Sequence, residues 1–178
     1  MSRKMTAENV SKCETTGANR HHGAIKSVTK QAGVTGIEFS LRSLAASIIE
    51  GSRSPAIVKK SIEFDTVHET VAFVRARHPW VPDPTDNEYM LSSDLMLERD
   101  GLDGDELCVL LGSLLVAEGF EVRISVRKYD GFGFVHPVLH WKDARGAWHL
   151  IDPCSSDYEK QNEHDRKMVA EMTVPVKR

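Results

Sequence analysis

Apolar residues recur at intervals of three and four from Phe39 onward. Phe39, Leu41, Leu44, Ala45, Ile48 and Ile49 share one face of a helix over roughly Ser40 to Glu50, with Gly51 as its stop. Ser54 and Pro55 are an N-cap and a first helical position, and the helix they open has Ile57, Val58, Ile62 and Phe64 on its apolar side. A third helix starts at Asp65 or Thr66, either of which can cap it. It runs through Val67, Val71, Phe73 and Val74 to about His78, where Pro79, Pro82 and Pro84 end it. Leu91 to Glu98 carries a short helix. The densest helical period runs from Asp105 to Glu118, with Leu107, Leu110, Leu111, Leu114 and Leu115 on the buried side and Gly119 after it.

The period then changes from helical to alternating. Val122, Ile124 and Val126 alternate with Arg123, Ser125 and Arg127, which predicts a strand with one wet face over Glu121 to Lys128. A glycine-rich connection leads to a second strand, Val135 to Trp141. Asp143 to Gly146 is a hairpin turn, and Ala147 to Ile151 is a third strand that ends at Asp152-Pro153. Residues 1 to 35 are polar without a sustained period and read as an arm ordered only on a partner, if at all. Residues 36–155 form the domain, and 156–178 read as a charged tail, helical around Arg166 to Met172. Helices first, then one helix leading into an antiparallel meander, is an α+β plan with the central helix laid across the sheet.

Composition narrows the function classes. The chain of 178 residues fits one domain, and its net charge of -3 gives no electrostatic case for nucleic acid or an anionic membrane. No run approaches the ~18 apolar residues of a membrane span, and the polar N-terminus lacks the apolar core of a signal peptide. Cys13, Cys108 and Cys154 have no framework spacing, so free thiols in a reducing compartment are expected. No Cys/His pairing suggests zinc, and neither a metal nor a cofactor is expected. His21-His22 reads as solvated surface. His140 lies two pleats from His136, about 13 Å along the strand, too far to share a metal.

The chemistry of interest lies where the helix from Asp105 begins. A cysteine at a helix N-terminus meets unpaired N–H groups and the positive end of the dipole, which favour thiolate and can hold an oxyanion. A histidine on a neighbouring strand then shuttles the proton, and a carboxylate orients it. His136 and Asp152 are candidates for these partners, yet position 104 is glycine. Each has a plainer reading: His136 as a strand histidine with a satisfied hydrogen bond, Asp152 as a turn residue before Pro153. Asp103, Asp105 and Glu106 serve as turn and first-turn acids. Cys108 is one helical turn inward from Gly104, about 6 Å along the axis, and reads as a buried structural cysteine or, less simply, as a displaced nucleophile. Trp80, Trp141 and Trp148 read as core or sheet-covering aromatics, and Cys154 as incidental.

These segments together resemble the transglutaminase-like superfamily of papain-like thiol enzymes, in the small form carried by tailed phages and prophages. The resemblance covers roughly Ser40 to Cys154. It rests on the lead-in Trp80-Val81-Pro82-Asp83-Pro84 with Glu88-Tyr89, on Leu110-Leu111-Gly112-Ser113-Leu114-Leu115 to Gly119, and on the hairpin Gly146-Ala147-Trp148-His149-Leu150-Ile151-Asp152-Pro153. It implies that His136 and Asp152 are the family's dyad, that Gly104 stands at the nucleophile position, and that Leu102 stands where a glycine is usual. Trp80 and Tyr89 are then candidates for the second oxyanion donor. The implied function is a catalytically inactive domain that binds or builds, a component of a phage virion or of its assembly, with phage structural proteins as partners, in the virion or the host cytoplasm. The alternative is an active protease, amidase or transglutaminase, if a cysteine natively stands at 104 or if Cys108 is the nucleophile. A weaker option is a non-covalent site in which His136 and Asp152 act on bound water.

Overall fold

The computed structural model describes residues 34–82, 90–130, 134–155 and 168–177. Cys13, His21-His22, Asp83, Pro84, Glu88 and Tyr89 lie outside them, as does most of the expected N-terminal arm. Among the described residues there are five helices and one four-stranded antiparallel sheet.

Helix α1 (Val34–Gly51) starts earlier than its apolar period predicts. Ser54 caps α2 (Pro55–Ser61) by accepting from the Ala56 and Ile57 amides. Thr66 and Glu69 form a reciprocal capping box at the start of α3 (Val67–Arg77). Helix α4 (Ser93–Glu98) is short, and α5 (Gly104–Ala117) is the central one. Asp103 caps α5: its Oδ1 accepts from the Glu106 amide at 2.8 Å, while Glu106 Oε2 accepts from the Asp103 amide at 3.4 Å. The acids expected as first-turn acids therefore fix where α5 begins.

Leu107, Leu110, Leu111, Leu114 and Leu115 are each at most 1% exposed. At about 1.5–3 kcal/mol for each fully buried side chain, this helix is the axis of the fold. It packs on α1, α2 and α3 and lies across the sheet. Two expected core positions on α2 are not core: Val58 is 44% and Ile62 79% exposed, because α2 is only two turns long and buries just one edge, through Ile57. Phe39 on α1 and Trp80 are likewise more than half exposed.

The sheet runs β3-β2-β1-β4, from β1 (Val122–Tyr129), β2 (Phe134–Lys142), β3 (Trp148–Ile151) and β4 (Met168–Val176). Strand β4 corrects the expected C-terminal helix and the separate charged tail: Met168 onward is an edge strand paired antiparallel with β1. Met172, Val174 and Val176 alternate with Glu171, Thr173 and Pro175, a period of two partly hidden by the charged residues before it. Pro175 is tolerated because β4 is an edge.

The register puts Val122, Ile124, Leu139, Trp141, Ile151, Met172 and Val174 on the side that joins the helical core. Arg123, Ser125 and Arg127 with their partners His140, Val138 and His136 occupy the other side. That side is not the wet face expected, since Ser125 and Val138 are fully buried. Ser125 Oγ and Thr173 Oγ1 are hydrogen-bonded across the strands at 2.7 Å.

Candidate active site

The two residues sixteen positions apart that the sequence singles out are in contact. His136 Nε2 and Asp152 Oδ2 are 2.6 Å apart. Asp152 is 1% exposed and held from several directions. Its Oδ1 accepts from the Cys154 amide at 3.0 Å, and its backbone carbonyl accepts from Arg75 Nη2 at 2.6 Å and from the Ser155 amide at 3.2 Å. One carboxylate thus does two jobs: Oδ1 closes an Asx turn after β3, and Oδ2 engages the imidazole. The same side chain closes the turn and contacts the imidazole. An imidazole held through Nε2 turns Nδ1 to its other side, the arrangement a proton shuttle uses. The Tyr129 ring lies 6.1 Å from the His136 ring.

Gly104 is the first residue of α5, just after the Asp103 cap. A Cβ placed on it would lie 3.5 Å from Pro137 Cγ and 3.6 Å from Cys154 Sγ. These are ordinary van der Waals separations, and Gly104 does not have the positive φ found at Gly119 and Gly146. Neither the backbone nor crowding demands glycine here. Position 104 abuts the residue that follows His136 and the residue two beyond Asp152, so α5, β2 and the turn after β3 converge on it.

Two thiols adjoin this point. Cys108 is fully buried. Burial, then the neighbouring Cys154 and the acids Asp105, Asp152 and Asp103, push its pKa well up, so it is a protonated core thiol without access to a substrate. Cys154, incidental by its place in the sequence, is part of the site. Burial together with Asp152, Asp103 and Asp105 pushes its pKa up to about 12, against a smaller opposing effect of Arg75. Its Sγ fills part of the space that a side chain at 104 would enter. No spacing signal marks it, because its position depends on how the turn after β3 folds back on α5.

Arg75 also carries no sequence signal, since a basic residue in the last turn of a helix ordinarily reads as a dipole partner. A row of ionisable groups crosses the sheet on the dyad's face. Arg127 is the register partner of both His136 and Glu171, and its Nε is 3.7 Å from Glu171 Oε2. Glu171 Oε1 is in turn 2.8 Å from His140 Nε2. Burial raises the Glu171 pKa, but the His140 hydrogen bond and the Arg127 charge outweigh it and hold the group below the usual carboxylate value. Sequence reasoning misses Glu171 because it misses the strand that carries it.

Trp80 is tied to Leu102, two residues before Gly104, through an isolated bridge in which the Val81 amide donates to the Leu102 carbonyl at 2.9 Å. Among the described residues no group of three or more His, Cys, Asp or Glu is placed to hold a metal ion, and no helix is long and apolar enough to cross a membrane. No family model, curated protein or solved structure matches the chain.

Proposed function

We propose that this chain is a transglutaminase-like, papain-like domain whose thiol nucleophile is absent, and that it works by binding rather than by catalysis. The observation that carries the reading is the His136–Asp152 pair at 2.6 Å, whose chain neighbours Pro137 and Cys154 lie against Gly104, the first residue of the capped helix α5. That layout has a base, an orienting acid and helix-start amides, but glycine has no atom that can form an acyl-enzyme. Cys108 does not replace it, being enclosed and protonated. By the resemblance that motivates this reading, the partners are phage structural proteins, and the domain is a virion or morphogenesis component. Stoichiometric presence in particles supports that assignment, and absence from particles removes the virion version.

The direct test restores the thiol. Gly104→Cys is made with Cys108→Ala and Cys154→Ser, and iodoacetamide labelling of residue 104 is followed from about pH 5 to 9, with and without His136→Ala. The expected outcome is a thiolate that forms well below the free-cysteine pKa of ~8.5 and reverts towards it when His136 is removed. An ordinary titration indifferent to His136 would overturn the proposal.

A further inference from the structure

His78 ends α3, and Pro79 after it forces the chain out of the helix. The residue is 1% exposed. Its Nδ1 is 2.9 Å from the Arg99 carbonyl oxygen. A carbonyl only accepts, so Nδ1 carries the proton and, in the neutral ring, Nε2 carries none. Nε2 is shut off from solvent and has no hydrogen-bond partner among the described residues.

This hydrogen bond is one of several that join residues 77–81 to residues 99–102. Arg77 Nη1 is 2.6 Å from Asp100 Oδ1. The Leu102 amide donates to the Pro79 carbonyl at 3.2 Å, and the Val81 amide donates to the Leu102 carbonyl at 2.9 Å. The outer of the two segments buries little apolar surface, since Trp80 is 56% and Val81 49% exposed. A segment of that kind opens at a lower free energy than the core behind it. Leu102 is followed by Asp103, the cap of α5, so the junction holds the lead-in to the central helix.

A second proton works against this junction. It puts on Nε2 an N–H that has no acceptor, and it places a positive charge where water does not reach. The charged groups around the ring are Arg77 on α3, Arg99 and Asp100 on the facing segment, and Glu106 on α5. Arg77 and Asp100 are engaged with each other, Arg99 Nη1 lies 3.7 Å from Glu106 Oε1, and Glu106 Oε2 accepts from the Asp103 amide. Burial is the largest influence on the ring and lowers its pKa. The Arg99 hydrogen bond and Asp100 raise it, Arg77 lowers it, and the result lies below the ordinary 6.5. The open junction therefore takes up a proton that the closed one refuses, and linkage makes the closed form less stable as pH falls below 6.5.

We propose that His78 is an acid-sensitive latch: when its ring takes a second proton, residues 77–81 part from residues 99–102 while the core stays folded, which frees the lead-in to α5. The proposal rests on the surroundings of His78 and is independent of the reading given to the dyad.

The test follows amide hydrogen exchange of the full chain by NMR from about pH 8 to 5, corrected for the intrinsic effect of pH on exchange. The Val81 and Leu102 amides, which donate across the junction, should lose protection by up to about 30-fold, the limit set by an open-state histidine pKa of 6.5. The Leu110 and Leu111 amides of α5 should not follow them. Asp100 does not cause such a loss, because Arg77 holds its pKa below the usual carboxylate value and it stays ionised throughout. His78→Asn keeps a side-chain N–H for the Arg99 carbonyl and cannot titrate, so its junction should keep the same protection at both ends of the range. The imidazole nitrogen shifts of the unaltered chain give a second readout that needs no variant: the ring of His78 should titrate together with the loss of protection. Three results would each overturn the proposal: junction amides equally protected at pH 5 and 8, a ring that titrates while those amides stay protected, or a folded His78→Asn protein that loses protection as the unaltered chain does.

Discussion

Glu118 closes α5 where its charge is poorly placed. It is partly buried at the negative end of the helix, and its Oε1 accepts from Thr70 Oγ1 of α3 at 2.9 Å. Burial pushes its pKa from 4.5 up to about 7, and the Thr70 hydrogen bond only partly opposes this. Between pH 4.5 and about 7 the folded chain therefore holds a proton that the unfolded chain has released. Linkage then makes stability fall as pH rises through that window, with the full loss present above about 7. Glu118→Gln keeps the acceptor and removes the charge. It should stabilise the protein at pH 8 by about 1–2 kcal/mol, a figure already reduced for the group's partial exposure, and change little near pH 4.5. Urea midpoints at the two pH values measure this, and an equal gain at both would show that the carboxylate is not the cause. Nothing in the sequence separates Glu118 from an ordinary helix-end acid. The depth of its carboxylate and the approach of Thr70 are set by how α3 packs on α5.

Among the elements, the helices and the three strands of the meander are legible in the sequence because each repeats its own period and carries its own stop. Contact between elements is not legible there. Strand β4 reads as a tail when taken alone, and it becomes a strand because β1 offers an unpaired edge. Gly112 shows the same limit. In the sequence it is a small residue inside a leucine-rich helix. In the fold it lets α1 approach α5, since a Cβ there would lie 2.8 Å from Ile48 Cδ1 and 3.0 Å from Ile48 Cγ1. Ile48 is fully buried and cannot turn aside into solvent. Gly112→Ala gains about 1 kcal/mol in helix propensity but loses about 1–3 kcal/mol to overpacking, so a net loss of about 1 kcal/mol is expected. In an Ile48→Val background, where Cδ1 is gone but Cγ1 and Cγ2 remain, the same change should cost less than it does beside isoleucine. Denaturation of the four proteins gives the coupling between the two sites. Additive effects would mean that the helices do not meet at this point.

Over the whole molecule, the candidate site depends on three segments far apart in sequence: the start of α5, the first residues of β2 and the turn after β3. The dyad is legible because both residues lie in one hairpin, where strand pairing fixes their distance from local signals. The place of Cys154 is not, because it requires that hairpin to sit at a particular height against α5. This height can be measured without any assumption about activity. Gly104→Cys alone, made in a Cys108→Ala background, would put a Cβ 3.6 Å from Cys154 Sγ, within reach of a disulfide after a small adjustment of χ1. Exposed to oxidised glutathione, this variant should form a disulfide between positions 104 and 154 by thiol–disulfide exchange, visible as a loss of two free thiols and a cross-linked peptide in a non-reducing digest. The bond should raise resistance to urea, since it closes a loop of about 50 residues and is worth up to about 4 kcal/mol. No internal bond even after prolonged oxidation at alkaline pH, where the raised Cys154 pKa limits exchange least, would place α5 and the hairpin further apart than the structure has them, and the convergence of Gly104, Pro137 and Cys154 would have to be abandoned.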